Sequence, residues 1–260
     1  LQIFSEQLQI PVNQLKVVQG DTDLVEGHGS VGSRSLFVGG NAILRGIEDF
    51  LEECKQLAAS ELEASVEDLE YHQGNFQVKG TRVGIGIFDL CSRQSDNSIS
   101  VKRKKELTGR SWPNGCHVAE VEIDAETGEV RLDRYVSVDD VGNTVNPMIV
   151  HGQVQGGIAS GLGQAVLERT EYDASGQLLS GSYMDYALPR ADDMPSLSGS
   201  LFEKAPCLTN PLGAKGTGEI GAVAGPPAIV HAVIDALAEK GITQVDMPLQ
   251  PQKIWECLNR

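Results

Sequence analysis

"TNPLGAKGTGEIGAVAGPPA", residues 209–228, packs five glycines and three prolines around one lysine, Lys215, and one carboxylate, Glu219. Within it "GTGEIG" reads as G-x-G-x-x-G, the dinucleotide fingerprint. A second reading makes the carboxylate the reactive group and the glycines its mount. The fingerprint works only after a buried strand and at the opening of a helix, with an acidic residue about 20 positions on. The preceding "KAPCLTNPLGAK" holds two prolines and few β-branched residues, which argues against a central strand. Pro226–Pro227 places the expected helix start past the third glycine, over 226–241. Asp235 and Glu239 then fall inside that helix. The nucleotide reading is therefore weak, and neither G-K-[ST] nor G-x-S-x-G occurs.

Composition narrows the classes further. The chain has 260 residues and a net charge of −15, the wrong sign for binding a nucleic-acid backbone. The one basic run, "VKRKKEL" (101–107), reads as a solvated edge strand blunted by lysine, or as a small anion patch. Cysteines 54, 91, 116, 207 and 257 lack C-x-x-C spacing, as expected of free, mostly buried thiols in a reducing, cytoplasmic setting. Histidines 28, 72, 117, 151 and 231 show no ligand spacing, so no metal site built from protein side chains is expected. No apolar run reaches 18 residues, and no membrane span is expected. The opening "LQIFSEQLQIP" lacks an initiator Met and reads as the interior of a larger polypeptide.

Along the chain, periodicity predicts a helix to residue 10 and a strand over 14–20. A polar, glycine-rich loop (21–35) leads into a helix over 35–62. On that helix Ile43, Ile47, Phe50, Leu51, Cys54, Leu57 and Ala58 share one face. A hairpin over 68–80 turns at Gly74–Asn75, and strands are expected at about 97–106 and 116–124. "DAETGEV" (124–130) is a tight turn into "VRLDRYVSVDDVG" (130–142), with alternating apolar residues. The segment 146–170 is helical but carries glycines at 152, 156, 157, 161 and 163. Each weakens a helix by up to ~1 kcal/mol relative to Ala, so something packs close to it: another helix or a ligand. A turn at 172–181, a short helix ending near Pro189, a strand at about 196–203 and a C-terminal strand, turn and helix complete the reading. Elements mix without strict β-α-β alternation, which predicts an α+β fold with mixed sheets and packed helices. It reads as one region, 1–260, with sub-lobes at about 1–110 and 111–260.

Three segments concentrate glycine and small hydroxyls: "GSVGSRS" (29–35), "GQVQGGIASGLGQ" (152–164) and "GAKGTGE" (213–219). With "VDDVGNTVNPMIVHGQVQGGIASGLGQAVLE" (138–168), "SYMDYALPRADDMP" (182–195) and "NPLGAKGTGEIGAVAGPPAIVHAVIDAL" (210–237), they resemble the xanthine dehydrogenase/aldehyde oxidase family. The likeness is to the C-terminal part of the molybdopterin-binding large subunit, of carbon-monoxide-dehydrogenase-like or aldehyde-oxidoreductase-like type. It spans about residues 1–258.

That resemblance implies a role for Glu219. In the family's K-G-x-G-E motif the glutamate is the general base for oxidative hydroxylation of a C–H carbon, with water as oxygen source. Burial in a dry loop would raise its pKa, and a nearby metal would lower it. The resemblance further implies that Gly32, Ser33, Arg34 and Ser35 wrap the pterin's pyrophosphate or nucleotide. Gln153, Gly156, Gly157, Ser160 and Gly161 would face the cofactor, as would Gly216 and Gly218. Lys215 would either neutralise cofactor charge or order the loop. The implied cofactor is molybdopterin in its cytosine dinucleotide form, with molybdenum held by the pterin dithiolene. Partners would be the rest of the large subunit and chains or domains carrying 2Fe-2S and FAD. The substrate would be an aldehyde, purine or N-heterocycle, and the chain would be inactive alone. The contrasting expectation is a non-catalytic scaffold of the same fold.

Overall fold

The computed structural model describes residues 1–25, 27, 29–103 and 109–259. Its contacts divide the chain into unit 1 (1–110 and 208–213) and unit 2 (111–207 and 214–260). No described helix is long and apolar enough to cross a membrane.

Unit 1 begins with helix α1 (Gln2–Leu8), which ends at a left-handed Gln9 before Pro11. The strand expected at 14–20 does not form. Val12–Gln14 is a 3-10 turn, and Val17 and Val18 remain about half exposed, outside both sheets. A π-helical turn, Leu36–Gly40, runs straight into α2 (Asn41–Glu61). The predicted apolar face of α2 is buried: Ile47, Cys54 and Ala58 pack with Leu69, Phe76, Ile85 and Leu90, and Ile43, Phe50, Leu51 and Leu57 flank them. Burial pushes the Cys54 thiol up to about 12.

The opposing sheet is antiparallel: β1 (Leu69–His72), β2 (Asn75–Val78) and β3 (Gly84–Gly86). Its hairpin turns at Gln73–Gly74, one residue earlier than expected. Both residues have positive φ (47° and 79°), the two-residue geometry whose twist matches the strands. Helix α3 (Ile87–Ser92) follows directly, and neither it nor β3 was expected. Residues 97–103 form no strand, and 104–106 lie outside the described residues, as does most of the basic run. Arg103 pairs with Asp49 at 2.9 Å.

Unit 2 is built on β4 (Asn114–Ile123), β5 (Val130–Asp140) and β6 (Leu197–Leu201). β4 and β5 are antiparallel and β5 and β6 parallel, so the sheet is mixed. The Asp124 carboxylate accepts the Glu126 and Thr127 amides at 2.8 and 3.0 Å and shapes the connecting turn. The alternation along β5 breaks partway. Glu120 pairs with Arg134 but Val121 with Leu132, leaving Asp133 as an extra residue. That bulge flips the faces. Leu132 points inward before it; after it Tyr135, Ser137 and Asp139 do, and Val136 and Val138 are turned out.

Helix α4 (Pro147–Leu162) is capped by Asn146, whose side chain accepts the Ile149 amide at 3.1 Å, and ends in a π turn, Gly163–Leu167. Residues 183–185 form a turn and 187–189 are irregular, in place of the expected helix. The Asp185 and Tyr186 amides donate to the Ser182 carbonyl at 3.0 and 2.9 Å, and Ser182 Oγ accepts the Met184 amide at 3.3 Å. This first turn is not continued toward Pro189, whose ring disfavours helical backbone at the residue before it. Helix α5 is Ile220–Ala236 and α6 is Pro251–Leu258. Val154, Ile158 and Leu162 of α4 meet Ile229 of α5, Leu132 and Tyr135 in one core. Val233 and Leu237 continue it to Leu249 and Ile254. All five cysteines are free thiols, and Cys116 is exposed because β4 turns it away from the helices, contrary to the expected burial.

Candidate active site

Helix α5 starts six residues earlier than the prolines suggested, immediately after Glu219. "GTGEIG" therefore does open a helix. The dinucleotide reading still fails, because the residues before it form only an isolated bridge, Gly142 with Ala214. Glu219 is the N-cap residue. Its carbonyl accepts the Val223 amide at 2.9 Å, and its side chain makes no capping hydrogen bond. The side chain is exposed, so the expected burial in a dry loop is not found on this chain. It projects at the positive end of a 17-residue helix, where a carboxylate is favoured.

The loop leading to Glu219 is moored to the end of β5. Lys215 N donates to the Val141 carbonyl at 2.7 Å, and Lys215 Nζ to Asp140 Oδ2 at 2.6 Å. The two side chains are 10% and 13% exposed, so this charge-assisted pair is largely shielded from water. Gly216 is buried, and Gly218 is exposed beside Glu219.

The glycines of α4 divide into two sets. A Cβ on Gly157 would lie 2.7 Å from Ala222 N, and one on Gly161 would lie 2.8 Å from Pro226 Cδ. On the facing helix, a Cβ on Gly221 would collide with the Val154 carbonyl and sit 2.7 Å from Ile158 N. Gly225 meets Gly161 Cα at 3.3 Å by the same measure. Small residues spaced by four on each helix thus let the two backbones touch. This packing also explains the early start of α5: contact with α4 stabilises a helical turn that glycine alone would not favour. Gly152 and Gly156 differ, with open space where a side chain would be. Gln153 and Ser160 are exposed with them. Because Gly157 abuts Gly221, this open face of α4 lies beside the start of α5 and Glu219.

Behind the face sits a polar group that sequence reasoning missed. His117 Nε2 bonds Asp139 Oδ1 and His117 Nδ1 bonds the Tyr135 hydroxyl, both at 2.9 Å. The His117 and Asp139 side chains are 3% and 1% exposed. Burial pushes the Tyr135 phenol above its ordinary range. Tyr135 and Asp139 are visible as alternate residues of one strand, but the outward valines beside them carry the apolar signal. Among the described residues no group of His, Cys, Asp or Glu could hold a metal ion.

In unit 1, Gly32 and Ser33 both adopt left-handed backbone (φ 58° and 55°). The chain then turns into the long helix: Arg34 N donates to the Val31 carbonyl at 3.3 Å, and Ser35 stands at the N-cap position of the π turn before α2, without a side-chain capping bond. Ser30 and Ser35 hydroxyls bond one another. Arg34 and Ser35 are exposed at a helix N-terminus, a geometry suited to an anion. Asn41, also missed, is 1% exposed. Its Nδ2 donates to Phe37 O at 2.6 Å and Asn210 Oδ1 at 3.2 Å, and its Oδ1 accepts Leu212 N at 3.2 Å. It fixes residues 210–212 to the start of α2.

Comparison with known proteins gives one family match, two relatives and two solved structures. The family model for the molybdopterin cofactor-binding domain matches residues 1–195. The 6-hydroxypseudooxynicotine dehydrogenase complex subunit gamma of Paenarthrobacter nicotinovorans is 34% identical over 98% of this chain and 33% of its own length. The carbon monoxide dehydrogenase large chain of Hydrogenophaga pseudoflava is 32% identical over 99% of this chain and 33% of its own. Among solved structures, quinoline 2-oxidoreductase from Pseudomonas putida 86 superposes with a TM-score of 0.86 at 32% identity, over 99% of this chain and 34% of that one. A Cu,Mo-CO dehydrogenase superposes at 0.87 with 29% identity. The chain spans about a third of the length of these relatives. Glu219 lies beyond the family-model match but inside the segments shared with the relatives. The chain belongs to the molybdopterin cofactor-binding domain family, within the xanthine dehydrogenase/aldehyde oxidase group of molybdenum oxidoreductases.

Proposed function

We propose that this chain cradles molybdopterin, in its cytosine dinucleotide form, and supplies Glu219 as general base for hydroxylating a C–H carbon with water as oxygen source. One observation carries the reading: an exposed carboxylate at the N-terminus of α5 borders a helix face whose glycines, Gly152 and Gly156, leave open space over the backbone. That face fits a bulky ligand lying flat against the helix. Gln153 and Ser160 would supply polar contacts, with Gly218 lining the loop. Taken by itself, the Ser33–Ser35 segment of unit 1 would contact an anionic group, through backbone amides and the Arg34 guanidinium.

When bound, the cofactor supplies the two-electron oxidation. Conversion of R–H and water into R–OH releases two electrons and two protons. Glu219 takes one proton at a carboxylate oxygen as the oxygen is delivered to carbon. A base placed this way contributes about 10²–10⁴-fold. The electrons would leave through 2Fe-2S and FAD groups on partner chains or domains, and the rest of the large subunit would complete the pocket. The substrate class is an aldehyde, purine or N-heterocycle, the setting cytoplasmic, and the chain alone inactive.

The contrasting reading is a scaffold of the same fold. Molybdenum and pterin content of the complex purified with its partner chains separates the two. Near-stoichiometric content of both supports the cofactor-binding reading, and absence of both supports the scaffold.

A further inference from the structure

We propose that Lys215 and Asp140 are a positioning pair for Glu219, rather than that Lys215 is a cofactor ligand. The inference rests on the general-base reading above. Lys215 is 9% exposed, and its ammonium is turned to Asp140 Oδ2 at 2.6 Å. Asp140 is itself fixed, its other oxygen accepting the Gly142 amide at 2.9 Å. The backbone repeats the attachment through Lys215 N to Val141 O at 2.7 Å and the Gly142–Ala214 bridge. Five positions after Lys215 the chain enters α5, which Gly221 and Gly225 press against α4. Glu219 is thus held from both sides: by the ion pair upstream, and by the glycine contact downstream. Only Gly216, Thr217 and Gly218 lie between Lys215 and Glu219. Two of these three residues are glycines, which do little to restrict the backbone. The pair adds a side-chain attachment to the backbone bonds on the upstream side of Glu219. A base that drifts by about 1 Å can lose about 10²-fold in rate.

The test uses the assembled, cofactor-loaded enzyme with Lys215→Met, Lys215→Arg, Asp140→Asn and, as reference, Glu219→Gln. Lys215→Met is expected to lower kcat by about 10²-fold with KM and cofactor content near wild type. It should also shift the pH profile of kcat and speed hydrogen exchange at residues 214–219 while leaving unit 1 unchanged. Lys215→Arg, which can still reach Asp140, should restore most of kcat. Should Lys215→Met lose its fold, Asp140→Asn removes the charge pairing with less change in volume and should show the same pattern more weakly.

Wild-type kcat, pH profile and exchange in Lys215→Met would overturn the proposal. So would a loss of activity that tracks loss of cofactor and that arginine rescues without Asp140. Failure of the general-base reading is separate. It would appear as normal turnover in Glu219→Gln, whatever exchange does in the Lys215 variants.

Discussion

In unit 1, α2 meets its sheet through large side chains: Ile47 and Cys54 reach Leu69, Phe76 and Leu90. In unit 2, α4 and α5 meet through missing ones, with Gly157 and Gly161 against Gly221 and Gly225. The first contact is a filled interior, in which stability follows the apolar area buried. The second is a backbone approach whose tolerance is set by the space a hydrogen occupies. The same substitution size should therefore have opposite consequences: α2 suffers from losing a carbon, and the α4–α5 pair from gaining one.

The largest effect should come from Gly221→Ala. Its methyl would collide with the Val154 carbonyl, which is backbone and cannot rotate away. A loss of about 3 kcal/mol is expected in denaturant unfolding. A loss below about 1 kcal/mol would mean that the helices separate easily, and the contrast would break. Ile47→Val removes one methylene from the α2 core and should cost about 1 kcal/mol. Gly156→Ala has the opposite sign. With open space around it, the substitution should stabilise the chain by up to about 1 kcal/mol through helix propensity. If that face is the cofactor cradle, the same variant should lower pterin content in the assembled complex. Full content would move the cradle elsewhere.

The contrast also explains what the sequence discloses. The face of α2 was legible because Ile43, Ile47, Phe50, Cys54 and Leu57 recur at helical spacing, and spacing is how burial is written when side chains do the packing. The start of α5 was not legible. Pro226 and Pro227 resemble a helix opening, but here they lie inside the helix, with Pro226 packed over Gly161. The strand expected at 14–20 had the apolar residues but joins neither sheet, and pairing is not written in one segment. The His117–Asp139–Tyr135 group was hidden by the bulge at Asp133. One extra residue exchanged the inward and outward sets, and no local pattern announces it. As a candidate, Glu219 was legible through the motif around it. Its mooring to Asp140, 79 positions distant in sequence from the glutamate, was not.

On the proposed reading, Glu219 is a base and not merely the N-cap of α5. Steady-state turnover of Glu219→Gln in the assembled enzyme, with molybdenum and pterin measured on the same sample, tests it most directly. Glutamine keeps the size and the N-cap geometry but cannot take the proton. A fall in kcat of about 10³-fold with cofactor content retained is predicted. Turnover within a few-fold of wild type at full cofactor content would mean that Glu219 is not the base.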